Sequence, residues 1–232
     1  KERVSHEGTK TRRGKEKKLP PIKPEDVPYE LPQSWEWVRL GRLMLRIGSG
    51  STPRGGKSAY VDSGIPFLRS QNIWDEGLQL NDVAHITDAM HEKMKNTKVF
   101  PGDILLNITG ASLGRCAVSP KELPEANVSQ HVSILRPVFR EITSFSHLAI
   151  RSPLIQILVW SRQVGMAREG LSKKVLELFE FPPPHLAEQK RIVAKVDQLM
   201  KLCDELEAKL KQSRTDANSL IAAIVNHLTE AA

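Results

Sequence analysis

From Ile192 to Ile224 the apolar residues recur at steps of four and three without a slip, and no Gly or Pro interrupts residues 186–232. Position a holds Val196, Cys203, Leu210, Ala217 and Ile224. Position d holds Ile192, Leu199, Leu206, Ser213 and Leu220. An apolar seam kept over about five heptads is the pattern of a coiled coil. At ~1.5 Å per residue such a helix is about 65 Å long, more than one small domain needs. Position e is partly apolar as well, at Val193, Met200, Ile221 and Leu228, so the stripe is wider than a simple dimer seam and predicts more than one partner surface. The bland alternative is a long helix packed on its own domain. The expected interface is Ile192, Val196, Leu199, Cys203, Leu206, Leu210, Ala217, Leu220 and Ile224, with small Ser213 and Ala217 allowing two helices to approach closely where they cross.

Prolines at 182–184 end whatever precedes this helix, and the chain before them has a different character. Short apolar runs broken by turn residues predict strands at 64–73, 98–109, 115–120 and 131–138. Residues 86–96 read as a short helix capped by Thr87 or Asp88. Residues 145–164 have helical spacing, with Pro153 at an early turn or a break, and 172–181 read as helix or strand. The expected fold is α+β, a mixed, loop-rich domain over 25–184 followed by the long helix of 185–232 as an antiparallel coiled coil. Residues 1–24 are charged and nearly free of large apolar groups; they predict a basic flexible arm, either a solvated linker or a phosphate-touching segment.

Net charge is +7, but its distribution blunts the obvious inference. Residues 1–24 hold nine Lys/Arg against three Asp/Glu, 25–184 hold eighteen against seventeen, and 185–232 hold seven of each. Bulk charge is therefore weak support for nucleic-acid binding; a basic face on a neutral domain would be needed. Two cysteines, Cys116 and Cys203, suit a reducing cytoplasm rather than a disulfide scaffold. No run approaches the ~20 apolar residues of a membrane span. The basic N-terminus has no apolar stretch behind it, unlike a secretory signal. The expected location is cytoplasmic, with no membrane partner.

Motifs for catalysis fail on spacing. GSGSTPRGGKS resembles a phosphate-binding loop, but with Gly56, Lys57 and Ser58 in place the first glycine falls on Ser51, and AYVDSGIPF after it is not helical. The seven histidines form no HExxH or Cys/His array, and His85, His91 and His131 read as surface or hydrogen-bonded residues. Cys116 has no base identifiable nearby, and Asp103 follows Pro101-Gly102 where a turn carboxylate is expected. No catalytic or metal site is expected.

Polar residues instead cluster at strand ends and turns. Ser51, Thr52, Arg54 and Lys57 share one Gly-rich loop; Arg69, Gln71 and Asn72 follow a strand. Thr109, Ser112 and Arg115 lie in NITGASLGR, Gln130 and His131 precede another strand, and Arg168, Lys173 and Lys174 lie in MAREGLSKK. Arg, Lys, Gln and Asn read base edges, whereas Ser, Thr and Lys mostly bind phosphate. Any one such cluster is more often plain surface.

Four segments together resemble the specificity subunits of type I restriction-modification enzymes: KEKKLPPIKPEDVPYELPQSWEWVRLGRL, GSGSTPRGGKSAYVDSGIPFLRSQNI, FPGDILLNITGASLGRCAV, and FEFPPPHLAEQKRIVAKVDQLMKLCDELEAKL with its Glu188 and Gln189. The similarity spans residues ~15 to 228. It implies a target-recognition domain that binds half of a split duplex-DNA target, followed by a spacer helix. It further implies docking of methyltransferase subunits, which bring S-adenosylmethionine, and of a motor-nuclease subunit. This chain itself would bind no cofactor and perform no catalysis. Such subunits usually carry two domains and two antiparallel helices. One domain and one helix imply either a fragment or a half-subunit that pairs with a second half or a copy of itself. A coiled-coil scaffold whose head binds protein, or an enzyme acting on nucleic acid, are the rival expectations.

Overall fold

The computed structural model describes residues 19–163 and 170–230. In chain order the regular elements are β1 (Val38–Arg39), α1 (Leu40–Leu43), β2 (Met44–Ser49), β3 (Ile65–Leu68), β4 (Ile73–Trp74), β5 (Gly77–Leu78), β6 (Ala84–Ile86), α2 (Asp88–Lys93), β7 (Lys98–Val99), β8 (Ile104–Asn107), β9 (Cys116–Val118), β10 (Ala126–Val128), β11 (Val132–Pro137), α3 (Thr143–Ile150), α4 (Pro153–Ser161), α5 (Lys173–Glu177), β12 (Glu180–Phe181) and α6 (Leu186–Glu230).

Two four-stranded sheets carry the domain, ordered β2-β11-β8-β9 and β6-β3-β10-β7. The first is antiparallel throughout; in the second, β3 and β10 run parallel. Side-chain alternation sorts β8, β9 and β11 onto two cores. Ile104, Leu106, Cys116 and Leu135 face a core closed by helices, with Phe145, Ile155, Val159, Leu176, Phe179 and Phe181. Leu105, Ala117, Val132 and Ile134 face the second sheet, against Leu68, Ile73, Val99 and Val128. Both faces of the sheet are thus buried at β8, which is why Ile104, Leu105 and Leu106 form an unbroken apolar run, whereas Leu45 on the edge strand β2 is exposed.

The expected strands form, but shorter. The run 64–73 is broken by a 3-10 turn at Ser70–Asn72, and 98–109 by the turn at Pro101-Gly102. Asp103 closes that second turn, accepting from the Phe100 N–H at 2.7 Å and pairing with Arg136 through both oxygens at 2.7 Å. The helix at 86–96 runs over Asp88–Lys93 and is capped by Thr87, whose hydroxyl accepts from Met90 N. Pro153 starts a new helix rather than bending one, because its ring fits the first turn. Residues 172–181 supply a helix and then a strand.

α6 is one unbroken helix of 45 residues. Its base is bonded to the lead-in segment: Glu188 accepts from the Trp35 indole at 3.3 Å and the Ser34 hydroxyl at 3.1 Å, and Gln189 donates to Pro184 O at 2.8 Å. Trp35, Phe145 and Phe181 stack edge to face beneath it. Ile192, assigned from sequence to the helix interface, is half-buried against the domain core together with Val193, because the first turns of α6 lie on that core. Beyond them Leu199, Leu206, Leu210, Leu220 and Ile224 are all exposed. Past its first turns the helix therefore does not lie on its own domain. Among the described residues no single helix is long and apolar enough to cross a membrane.

Candidate nucleic-acid interface

Four strand ends meet at one edge of the domain. β2 ends at Ser49 opposite Ser133, and β8 ends at Asn107 opposite Val132. β3 ends at Leu68 beside Val128, the last residue of β10. Backbone hydrogen bonds then join the loops that follow. Gly50 N donates to Val132 O at 2.9 Å, Ser51 N to Val128 O at 3.2 Å, Ser129 N to Leu68 O at 2.9 Å, and Ile108 N to His131 O at 3.0 Å. Gly50 is required here, since a Cβ would lie 1.9 Å from Val128 O.

Side chains complete the join. Asn107 Nδ2 donates to Ser70 O at 2.9 Å and to Ser112 Oγ at 3.1 Å. The Thr109 hydroxyl and His131 Nδ1 are 2.7 Å apart. Thr109 bridges Gly170, and Leu171 N donates to Ile108 O, so the 170 segment reaches the same edge. Sequence reading gave five separate clusters; hydrogen bonding gathers four of them and the flank of the fifth.

Ser51, Thr52, Arg54, Gln71 and Gln130 are exposed along this edge, and Arg69, Thr109, Ser112, Arg115 and His131 are half-buried within it. Arg115 lies over the Trp74 ring at 4.2 Å, and the Trp74 N–H donates to Gln71 O at 2.8 Å. Lys57 belongs to the 3-10 turn Gly56–Ala59. Lys173 and Lys174 are exposed on α5, Lys173 within 3.8 Å of Glu177. Arg168 lies outside the described residues. Asn72 departs from the sequence expectation. It is buried, its Oδ1 accepts from Arg69 N and its Nδ2 donates to Gln79 O, so it builds the turn and has no surface to offer.

The arginines divide by partner. Arg39 pairs with Glu180 and Asp26, Arg136 with Asp103, Arg151 with Asp75 and Arg162 with Glu180. Arg54, Arg69 and Arg115 have no carboxylate partner among the described residues, and neither do Arg42, Arg46, Arg140, Arg191 and Arg214 away from this edge. Three groups at this edge also carry buried polar atoms without a hydrogen-bond partner: Arg69 Nε, Asn107 Oδ1 and Ser129 Oγ. Asn107 is missed in the sequence because it sits at the end of an apolar run, and Trp74 because it lies just beyond the 64–73 strand. Cys116 is no nucleophile: burial pushes its thiol up to about 12.

A loop-presenting α+β head on a helical stalk, with its polar loops gathered at one edge, is the architecture of a recognition module. The chain belongs to the type I restriction modification DNA specificity domain family, whose model matches residues 32–213. It is 30% identical over 225 residues to the EcoAI specificity subunit of Escherichia coli, covering 91% of this chain and 37% of that protein. It is 28% identical to the Escherichia coli EcoBI specificity subunit, covering 71% and 35%. Among solved structures, the HsdS subunit from Thermoanaerobacter tengcongensis superposes with a TM-score of 0.54 at 25% identity, over 75% of this chain and 39% of that one. A chain from a study of type I restriction-modification assembly and conformational transition superposes at 0.61 with 23% identity, over 83% and 45%. The chain thus spans well under half the length of these relatives.

Proposed function

We propose that this chain recognises one half of a bipartite duplex-DNA target, as a specificity subunit or half-subunit of a type I restriction-modification complex. The observation that carries the reading is the single edge where strand ends converge and hydrogen bonds gather the polar loops that carry Arg54, Arg69 and Arg115. Such an edge supplies a local basic face on a domain that is nearly neutral overall, which bulk charge could not reveal. Methyltransferase subunits, with S-adenosylmethionine bound to them rather than to this chain, and a motor-nuclease subunit are the further partners. The chain itself performs no catalysis and acts in the cytoplasm.

The helix pairs antiparallel with a second helix of its kind, from another copy or from the rest of a longer subunit. Centred between Leu206 and Leu210, an antiparallel self-pair sets every a residue against a d residue. Val196 meets Leu220, Leu199 meets Ala217, Cys203 meets Ser213, and Leu206 meets Leu210. Large residues close both ends, and small ones allow close approach between them. The exposed stripe is an apolar patch that water disfavours, which supports such a partner.

DNA binding by the purified chain, measured from about 50 to 200 mM salt, tests the reading. Phosphate contacts release counterions, so affinity falls steeply with salt. A head that binds protein instead shows no such duplex binding.

A further inference from the structure

We infer that Arg69 is the residue of this edge that reads a base, and that the base is a guanine presented in the major groove. The inference rests on the DNA-recognition reading above and assigns roles within it.

Arg69 is half-buried, yet its side chain has no carboxylate, carbonyl or ring partner among the described residues, and its Nε is shielded from solvent without an acceptor. Among the described residues, every other half-buried or buried arginine of the domain has one. Arg39, Arg136 and Arg162 hold carboxylates, Arg46 reaches Asn96 O, and Arg115 has the Trp74 ring. A guanidinium nitrogen shielded from solvent without an acceptor is costly in the free protein. A ligand that brings acceptors removes that cost.

The surroundings fix where the guanidinium starts from. Arg69 N donates to Asn72 Oδ1 at 2.9 Å, and Arg69 O accepts from Asn72 N at 2.9 Å. Asn72 is itself held by Gln79 O. On one side Leu68 O accepts from Ser129 N; on the other, Ser70 O accepts from Asn107 Nδ2. The arginine therefore stands on a turn locked from three directions, at the centre of the converging loops. Phosphate contacts tolerate a freely moving cation, and the exposed Arg54, Ser51, Thr52 and Gln130 suit them. Base reading needs a donor pair held in one direction. The planar guanidinium fork matches two adjacent acceptors, and guanine O6 with N7 is the base edge that offers them.

Selection of bound duplexes from a randomised pool by the full-length chain tests this. The wild-type chain enriches a motif with an invariant guanine. Arg69→Ala enriches the same motif with that one position degenerate, binds the original motif ~10–100-fold more weakly, and keeps the salt slope. Arg69→Lys retains charge and length but lacks the fork, so it shows the same degeneracy; it carries the test if the alanine variant fails to fold. An unchanged motif in either folded variant overturns the inference, and a salt slope reduced by about one then identifies a phosphate contact instead. A wild-type chain that binds duplex DNA but enriches no motif overturns the DNA-recognition reading itself.

Discussion

The side-chain amide of Asn107 donates to the Ser70 carbonyl at 2.9 Å, bonding the end of β8 to the turn that carries Arg69. The same amide reaches Ser112 Oγ, so one buried residue ties the turn of Arg69 to the loop of Thr109, Ser112 and Arg115. Asn107→Ala strands two hydrogen-bonding groups at this edge and should cost about 1–3 kcal/mol. Thermal unfolding should show a fall of several degrees, and DNA affinity should drop even where the variant is fully folded. Unchanged affinity in the folded variant would mean that the edge is not organised through this residue.

At the other end of the same sheet, Asp103 is buried and grips Arg136 through both carboxylate oxygens. Removing one partner of such a pair leaves the other charge uncompensated, at a cost of about 3–5 kcal/mol. Asp103→Ala should therefore destabilise the domain strongly in urea unfolding. It should leave the DNA preference of the folded fraction unchanged, because this end of the sheet is remote from the recognition loops.

Burial holds the His147 imidazole below the 6.5 of a free imidazole, with Nε2 donating to Cys116 O at 3.1 Å. Unfolded chains thus take up a proton near 6.5, whereas the folded chain takes it only at lower pH. The unfolded state binds more protons in that window, so this contribution to stability is complete above about 6.5 and is lost as pH falls below it. The urea midpoint should fall between pH 7.5 and 5.5, and His147→Gln should flatten that slope. An identical slope in the variant would remove His147 as the cause.

Much of this architecture was legible in the sequence, and the gaps have physical reasons. The helix from Leu186 showed itself because thirty-odd residues repeat one spacing, but nothing in that spacing says that its first turns dock on the domain through Ile192 and Val193. The five polar clusters were visible, yet their convergence depends on long-range pairings such as Leu68 with Val128 and Asn107 with Val132. Periodicity carries no information about those. Asn72 and Asn107 show the same limit from opposite sides. Asn72 looked like a ligand residue and is buried in a turn, whereas Asn107 looked like strand interior and organises the edge. The Glu188-Gln189 pair was recognisable only by resemblance; the structure supplies the reason, since these residues bond the helix base to Trp35 and Pro184.

The stripe on α6 gives a test of orientation. An antiparallel self-pair sets Cys203 opposite Ser213, so Ser213→Cys should form a covalent dimer on mild oxidation, whereas the wild-type chain should not. A parallel pair sets Cys203 against its own copy, so the wild-type chain should then form the covalent dimer as well. Leu206→Asp with Leu210→Asp places four carboxylates at the centre of the pair. It should abolish self-association in sedimentation while leaving the head folded. A wild-type chain that stays monomeric at high micromolar concentration, with its helix formed, would restrict the pairing to a second helix within a longer subunit.

Genome-wide mapping of methylated bases tests the central claim most directly, in cells carrying the partner methyltransferase with and without this chain. The account predicts methylation at a defined sequence motif only when the chain is present. That motif should become degenerate at one position when Arg69 is replaced by Ala. A methylation pattern that is the same with and without the chain would contradict its role in reading DNA sequence.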